Sequence, residues 1–257
     1  MGRGPVVEKK RALTEAARSK TYALHSKLIS LAAQSGGNPD DNPRLALAMA
    51  KARKDSVPAD VIARAVKKGT GEDKSAAQVE EVVYEGYAPG GVALVVRALT
   101  DNRNRTAGNM RHVFARNGGN LGETGSVTSF AFTLKGVVLG KVGPDAGKFE
   151  ESAIESGCDE YFIEDDGSFS ALTRREDLAA VADFFRAAGF EVTSAAMHYV
   201  PNAKVDVQDF DSALKTVKLL QDLDQDEDVE LTWSNEEIPQ DLRDRAAQAI
   251  EDAKFKT

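Results

Sequence analysis

The sequence predicts an α+β protein of three domains: an N-terminal helical bundle followed by two α+β, ferredoxin-like domains, the third inserted into the second. Three observations lead to this prediction. Residues 1–75 show helical periodicity and helix-capping signals, whereas strand-like apolar runs begin at residue 79. Residues 136–200 follow the order strand, helix, strand, strand, helix, strand of a ferredoxin-like unit. A further helix and strand after residue 200 complete the domain that this unit interrupts.

The first domain, residues 1–75, is predicted to be a bundle of helices. Residues 1–7 lack periodicity, and we expect them to form a mobile arm. Asn42 before Pro43 is an N-cap followed by proline at the first helical position. Glycines end the helices, and residues 69–75 form a linker. Helices are predicted to begin at Glu8 and to run from Tyr22 to Gln34, from Asn42 to about Lys54 and from Pro58 to Lys68.

The middle domain, residues 76–135 plus 201–235, is predicted to contain a β-hairpin. A turn cluster from Tyr84 to Gly91 separates its two apolar runs. Thr100 and Asp101 offer side-chain oxygens to the open N–H groups of the helix that follows. Strands are predicted over residues 79–84, 92–99, 127–134 and 229–233, and helices from about Asn102 to Asn117 and from Asp209 to Leu223.

The helix predicted from about Asn102 to Asn117 has two different sides at 100° per residue. The side predicted to be buried consists of Ala107, Met110, Val113 and Phe114. The opposite stripe is polar and mostly cationic and consists of Arg105, Asn109, His112 and Arg116. This amphipathic pattern indicates that the helix covers a sheet with one side and faces solvent with the other.

The third domain, residues 136–200, is predicted to be the inserted ferredoxin-like unit. Its strands are predicted over residues 136–140, 159–163, 169–172 and 190–200, and its helices over residues 145–156 and 175–188. The charged tail, residues 236–257, is predicted to be helical or loose.

The composition favours a cytoplasmic protein. At 257 residues, 42% hydrophobic and 29% charged, the chain is long enough for more than one core. No apolar run reaches the length of a membrane span, and the charged N-terminus lacks the apolar segment of a signal peptide. The single cysteine, Cys158, excludes an internal disulfide and fits a reducing compartment.

The charge is distributed unevenly along the chain. The net charge is -8, but residues 1–70 hold 14 Lys and Arg against 6 Asp and Glu. The rest of the chain holds the remaining 19 Lys and Arg against 35 Asp and Glu. This asymmetry is expected where one domain binds phosphate and the remainder avoids it. The alternative is that the cations only coat solvated helix faces.

The candidate nucleic-acid-binding residues are the cations of the first domain together with two arginines at the start of the central helix. Several of them lie in the last turns of helices, where the helix dipole favours cations whatever the function. Arginines at a helix N-terminus call for an anion, either a phosphate or an acidic side chain such as Glu85. The candidates are Lys9, Lys10, Arg11, Arg18, Lys20, Lys27, Lys51, Arg53, Lys54, Arg64, Lys67, Lys68, Arg103 and Arg105.

The sequence indicates no catalytic residues, no metal site and no cofactor. Residues 222–228 mimic the start of a calcium loop, but Glu227 stands at the sixth position and Trp233 at the twelfth, where glycine and glutamate are required. No motif of a hydrolase or a metalloprotease is present. The histidines fall in different predicted elements, without ligand spacing: His25, His112 and His198.

Several strings resemble the YebC/PmpR family, whose mitochondrial relatives are translational activators of cytochrome c oxidase. The central strings are Tyr84-Glu85-Gly86-Tyr87, Pro89-Gly90-Gly91-Val92, Thr100 through Thr106, Arg111-His112, Gly118 through Gly122 and Gly125-Ser126-Val127. Strings of the first domain also match: Asn38-Pro39-Asp40, Asn42 through Leu45, Val57-Pro58 and Lys67 through Gly71. The chain departs from the family at its start, which lacks the usual Ser-Lys-Trp segment; its only tryptophan is Trp233.

The resemblance implies a three-domain, non-enzymatic protein that controls gene expression through nucleic acid or the ribosome. The favoured prediction is a DNA-binding transcriptional regulator. The alternative is a ribosome-associated translation factor that assists synthesis of proline-rich stretches, and a third class is a plain interaction scaffold. The expected partner is therefore DNA or ribosomal or transfer RNA, bound by the basic N-terminal domain, with the ribosome as a further partner. Neither a membrane nor a small-molecule substrate is expected.

Overall fold

The computed structural model describes the backbone of residues 4–143 and 146–255, and the side chains of residue 15, residues 17–143 and residues 147–253. The chain forms two compact units. The first combines the residues up to Ser126 with those from Val205 onward, and the second is Val127–Lys204. The α+β class with an inserted domain is therefore confirmed, while the bounds of the three domains stay a prediction.

The described helices and strands follow the predicted order with three differences: two predicted helices form the single helix α1, two predicted strands form the single strand β4, and the short strands β3, β8 and β10 were not predicted. The helices are α1 (Gly4–Ala33), α2 (Pro43–Lys54), α3 (Ala59–Thr70), α4 (Arg103–Arg116), α5 (Ala146–Glu155), α6 (Leu178–Ala187), α7 (Phe210–Gln225) and α8 (Gln240–Phe255). The strands are β1 (Glu80–Tyr87), β2 (Ala93–Thr100), β3 (Asn120–Leu121), β4 (Phe132–Lys141), β5 (Glu160–Ile163), β6 (Ser168–Thr173), β7 (Glu191–Pro201), β8 (Val205–Asp206), β9 (Val229–Ser234) and β10 (Glu236–Glu237).

The first unit begins with one helix of 30 residues where an arm and two helices were predicted. The expectation of a mobile arm was wrong for residues 4–7, which belong to α1. Pro5 is tolerated there because the first helical turn has no internal N–H partner to lose. No glycine or proline interrupts residues 8–33, so nothing separates the two predicted helices. Residues 1–3 lie outside the described residues.

The helices α1, α2 and α3 share a small apolar core. The predicted N-cap Asn42 is confirmed, because its side chain accepts a hydrogen bond from the Leu45 N–H at 3.1 Å. Its amide also donates to the Ala32 and Gly36 carbonyls, which ties the end of α1 to the start of α2. The core is formed by Ile29, Ala32, Ala33, Leu45, Ala52, Val57, Ile62 and Ala65.

The sheet of the first unit has the order β3-β1-β2-β9. The predicted hairpin is confirmed: β1 and β2 are antiparallel, and β9 pairs with β2 as the returning strand. The N-cap of α4 is Asn102, which accepts from the Arg105 N–H at 3.1 Å, whereas Thr100 and Asp101 were predicted. Thr100 instead accepts a hydrogen bond from the Asn102 N–H.

The apolar core beneath the sheet of the first unit extends beyond residue 235, the predicted end of the middle domain. The helix α8, in the segment predicted to be helical or loose, packs against α7 and buries an apolar stripe. On α4, Thr106 is buried where Ala107 was predicted. The central residues of the core are Leu94, Met110, Phe114, Leu219, Leu223, Leu242, Ala246 and Ile250.

The second unit has the predicted ferredoxin-like order, with a sheet β5-β6-β4-β7 whose neighbours are all antiparallel. The two strands predicted at residues 127–134 and 136–140 are one strand, β4, and this prediction was wrong. Residues 127–131 form turns in which the Ala131 N–H donates to the Val127 carbonyl. Gly136 does not end the strand, because it is paired with Thr173 of β6 and with Met197 of β7. A Cβ at this position would clash with Thr173 and Leu178.

Candidate nucleic-acid interface

The structure divides the predicted cations into three sets. Lys9, Lys10 and Arg11 belong to α1, but the structure describes only their backbone and not their side chains. A second set is exposed on the surface of the first three helices. A third set is engaged with carboxylates of the same unit that lie outside the first three helices. The charge of the whole domain therefore overstates the charge that is available to a ligand.

The exposed set lies mainly in the last turns of α2 and α3. Lys51, Arg53 and Lys54 end α2, and Lys67 lies in the last turn of α3. Arg18 is exposed on α1. Among the described residues, no carboxylate lies within 4 Å of any of these five cations. Arg64 is also exposed, but its guanidinium contacts Asp60 one turn earlier at 2.8 Å.

The exposed cations occupy two groups rather than one. The short connection after α2 places Lys54 near the start of α3, whereas Lys67 lies near the end of α3. Lys67 lies eight residues after Ala59, the first residue of α3, so about 12 Å along the helix axis separates the two groups. Such a separation allows the two groups to contact different parts of one phosphate backbone.

The third set joins the helices to acidic side chains that are distant in sequence. The Lys27 ammonium lies 2.5 Å from Asp228 and 2.6 Å from the Glu227 carbonyl oxygen. Lys68 contacts Asp101 at 2.8 Å, and Lys20 contacts Asp224 at 3.6 Å. The local sequence around each of these cations gives no indication of its acidic partner, because the tertiary fold brings the two together.

The two arginines of α4 also have acidic partners. Arg105 contacts both carboxylate oxygens of Asp228 at 3.1 Å, and Arg103 contacts Glu80 at 3.8 Å. The sequence left open whether a phosphate or an acidic side chain compensates these arginines, and in the structure both contact acidic side chains. The suggested partner Glu85 was wrong: Asp228 pairs with Arg105, and buried Glu85 accepts a hydrogen bond from the Gly125 N–H at 2.9 Å.

Asp228 is the centre of this ion-pair network. Its side chain is only 9% exposed and accepts hydrogen bonds from Lys27, Arg105 and, at 2.6 Å, the Thr106 hydroxyl. Burial by itself would raise the pKa of Asp228, but these three donors outweigh burial and lower it. The hydrogen bond from Lys68 likewise lowers the pKa of Asp101. Both carboxylates are thus held in the charged form by the cations that they neutralise.

The acidic connection, residues 222–228, makes further contacts with α4. Arg116 contacts Asp222 at 3.1 Å, and the Asn109 amide donates to Asp226. Within the part of the chain that the structure describes, no three His, Cys, Asp or Glu side chains are grouped to hold a metal ion. The acidic connection is thus a partner for cations of the protein itself.

None of the described helices is long and apolar enough to span a membrane.

Acidification is expected to weaken the first unit through Asp228 and Asp101. Because the pKa of each is lowered in the folded state, the unfolded chain takes up protons at a higher pH than the folded protein does. Their stabilising contribution is complete above about pH 5 and is lost as the pH falls through the lowered values. Asp226 acts in the opposite direction, because burial raises its pKa.

The measurement compares the free energy of unfolding of the wild type with that of Asp228→Asn as a function of pH. Trp233 on β9 is the only tryptophan of the chain, so its fluorescence reports on the first unit. Between about pH 4 and 2, we expect the stability of the wild type to fall more steeply than that of the variant. Equal slopes would show that Asp228 does not couple protons to folding.

Comparison with known proteins gives two successive family matches. The TACO1/YebC protein N-terminal domain matches residues 6–72, and the TACO1/YebC second and third domain matches residues 79–236. A "probable transcriptional regulatory protein" of Persephonella marina is 40% identical over 243 residues, which cover 94% of this chain and 96% of the relative. A protein of the same name from Treponema denticola is 44% identical over 230 residues, covering 88% of this chain and 91% of the relative.

A solved structure agrees with these matches. The crystal structure of a conserved hypothetical protein from Aquifex aeolicus is similar, with a TM-score of 0.77 and 38% identity. The similarity covers 87% of this chain and 91% of that protein. The resemblance predicted from the sequence strings is thus confirmed over most of the chain. The chain belongs to the TACO1/YebC family.

Proposed function

We propose that this protein is a non-enzymatic regulator of gene expression that binds nucleic acid, with DNA-binding transcriptional regulation as its function. The observation that carries this proposal is the set of exposed cations on α1, α2 and α3 that have no carboxylate within 4 Å among the described residues. The names of its relatives, probable transcriptional regulatory proteins, support the same role. The proposed location is the cytoplasm.

The proposal assigns different roles to the two cation sets. The exposed set, Arg18, Lys51, Arg53, Lys54 and Lys67, is proposed to neutralise phosphates, with Arg64 beside it. If these five cations contact five phosphates of duplex DNA, the logarithm of the binding constant should fall with the logarithm of salt at a slope of about -4.5. The paired set is proposed to hold the helices on acidic side chains of the same unit. Lys20, Lys27 and Arg105 contact the acidic connection, whereas Lys68 contacts Asp101 and Arg103 contacts Glu80.

The physical basis of this division is desolvation. A phosphate that approaches Lys27 would have to displace Asp228 from a site that is largely closed to solvent. A phosphate that approaches Lys51, Arg53 or Lys54 displaces only water and mobile ions, because these side chains are exposed. Release of counterions from the nucleic acid then drives binding. The exposed cations are therefore the favoured phosphate contacts.

The test is charge reversal of Lys51, Arg53, Lys54 and Lys67 to glutamate. We expect the affinity for duplex DNA at moderate salt to fall by at least about 100-fold and the salt slope to become shallower by about 3.6. Fluorescence anisotropy over a series of salt concentrations measures both quantities. The matched control, which changes the net charge equally, reverses four exposed cations elsewhere: Arg175, Lys215, Lys218 and Arg245.

Two outcomes would contradict the proposal. If the control variant lost as much affinity as the test variant, binding would follow net charge and no defined surface would be involved. If the wild type sedimented with its own ribosomes and bound DNA only weakly and without sequence preference, the same cations would serve a ribosome-associated translation factor. Sucrose-gradient sedimentation at low and moderate salt separates these functions.

A further inference from the structure

A cleft of about 720 Å³ lies between α1 and α3. One wall is formed by Ser19, Tyr22 and Ser26, which are spaced three and four residues apart and therefore lie on one stripe of α1. The volume is within the range of about 300–1,000 Å³ that is usual for small-ligand sites. The opposite wall and the end of the cleft include Arg64, Lys67, Lys68, Glu72 and Asp73.

Tyr22 gives this cleft an aromatic surface. Its ring is half-buried and packs against the core of the three helices, so the backbone and the core fix its position. Tyr22 also lines a neighbouring cleft that contains Arg18 and Asp55. The ring therefore lines two adjacent depressions, which also contain the exposed cations Lys67 and Arg18.

Some of the cations that line the cleft already form ion pairs within the protein, whereas one does not. Lys68 contacts Asp101, and Arg64 contacts Asp60. Lys67 is exposed and has no carboxylate within 4 Å among the residues that the structure describes. It is therefore the cation of the cleft best placed to bind an external phosphate. The hydrogen bond from Ser75 lowers the pKa of Asp73, which keeps this carboxylate charged as an acceptor.

We infer that the cleft holds one unstacked nucleotide of a single-stranded nucleic acid. The base would lie against Tyr22, the phosphate would contact Lys67, and Glu72 and Asp73 would accept hydrogen bonds from the sugar hydroxyl or the base amino groups. The inference rests on the proposed function, which is nucleic-acid binding, and adds that the ligand of this cleft is single-stranded. In a duplex the base faces are covered by their neighbours, so the ring could not be used.

The aromatic contact distinguishes this site from a purely electrostatic surface. Stacking on an aromatic side chain typically contributes about 5- to 150-fold in affinity per base. The stacking part does not involve counterion release, so it persists at higher salt, where phosphate contacts weaken. Single strands of RNA and of DNA both offer this chemistry, and the carboxylates would favour RNA if they contact the 2′-hydroxyl.

The experiment measures fluorescence anisotropy with the full-length protein. The probes are a fluorescein-labelled single-stranded RNA of mixed sequence, the single-stranded DNA of that sequence and the corresponding DNA duplex. The variants are Tyr22→Leu, which removes the ring, Tyr22→Phe, which keeps it, and Ser19→Leu, which fills the cleft from an exposed position. We expect Tyr22→Leu and Ser19→Leu to weaken single-strand binding by about 5- to 150-fold. Tyr22→Phe should preserve single-strand binding, and all three variants should bind the duplex unchanged.

The outcomes separate this inference from the proposed function. If the wild type binds nucleic acid and neither Tyr22→Leu nor Ser19→Leu changes single-strand binding, the cleft is not the site, although the proposed function stands. If Tyr22→Leu weakens all three probes equally while Ser19→Leu changes none, the ring has a structural role and the inference is overturned. If the wild type binds none of the probes, the proposed function itself fails.

Discussion

Replacement of Asp228 by alanine is expected to lower the free energy of unfolding of the first unit by about 3–5 kcal/mol. The reason is the desolvation of its partners. The Lys27 side chain is only 16% exposed and, among the described residues, would keep only the Glu227 carbonyl as an acceptor. The buried Thr106 hydroxyl would also lose an acceptor at 2.6 Å. Denaturant unfolding followed by Trp233 fluorescence measures the change.

Asp224→Ala is the matched control, because it removes the same side chain from the same connection. The Asp224 side chain is 90% exposed and lies 3.6 Å from Lys20, so the expected loss is only about 0–1 kcal/mol. A second control replaces both partners, Lys27→Met with Asp228→Leu, and should cost less than the sum of the single changes. Equal losses for Asp228→Ala and Asp224→Ala would show that burial does not decide the strength of these pairs.

Gly69→Ala is expected to destabilise the helical part by about 1–3 kcal/mol or more. A Cβ at this position would lie 2.2 Å from the Ser30 carbonyl oxygen and 2.6 Å from the Ala33 Cβ, so α1 and α3 would have to separate. The separation would also strain the 2.8 Å hydrogen bond from the Ser30 hydroxyl to the Ala65 carbonyl. Thermal unfolding followed by circular dichroism detects the loss.

Gly108→Ala in α4 is the control for this substitution. Apart from its chain neighbours and the backbone of its own helix, no described atom lies within 4 Å of the Cβ that it would add. The variant should therefore show only the gain in helix propensity, about 1 kcal/mol of stabilisation. The two glycines thus predict effects of opposite sign from the same chemical change. A stabilised Gly69→Ala variant would contradict the close approach of α1 and α3.

The local features of the fold could be predicted from the sequence. Asn42 and Pro43 begin a helix because side-chain capping and the fixed φ of proline act within a few residues. The β1–β2 hairpin follows from two apolar runs around a glycine and proline turn. The ferredoxin-like order of the second unit follows from the same short-range patterns. Each of these signals is contained in one stretch of chain.

Features that depend on a distant partner were predicted less well. The strand β4 begins at Phe132 and not at Val127, because pairing with β7 decides where a strand starts. Apolar residues of α8 are buried only because α7 offers them a surface, so their charged neighbours made the segment look like a tail. On α4, the sequence pattern located the exposed stripe correctly but not its acidic partners.

For the candidate site, the sequence by itself determined that the first domain is basic and where its cations lie along the helices. Only the tertiary structure decided which cations face solvent. Lys27 and Lys51 are both lysines on helices of the same domain, but Lys27 meets Asp228 across 201 residues of chain. The physical reason is that a charge is neutralised by whatever lies within a few ångströms, and the fold sets that distance independently of separation along the chain.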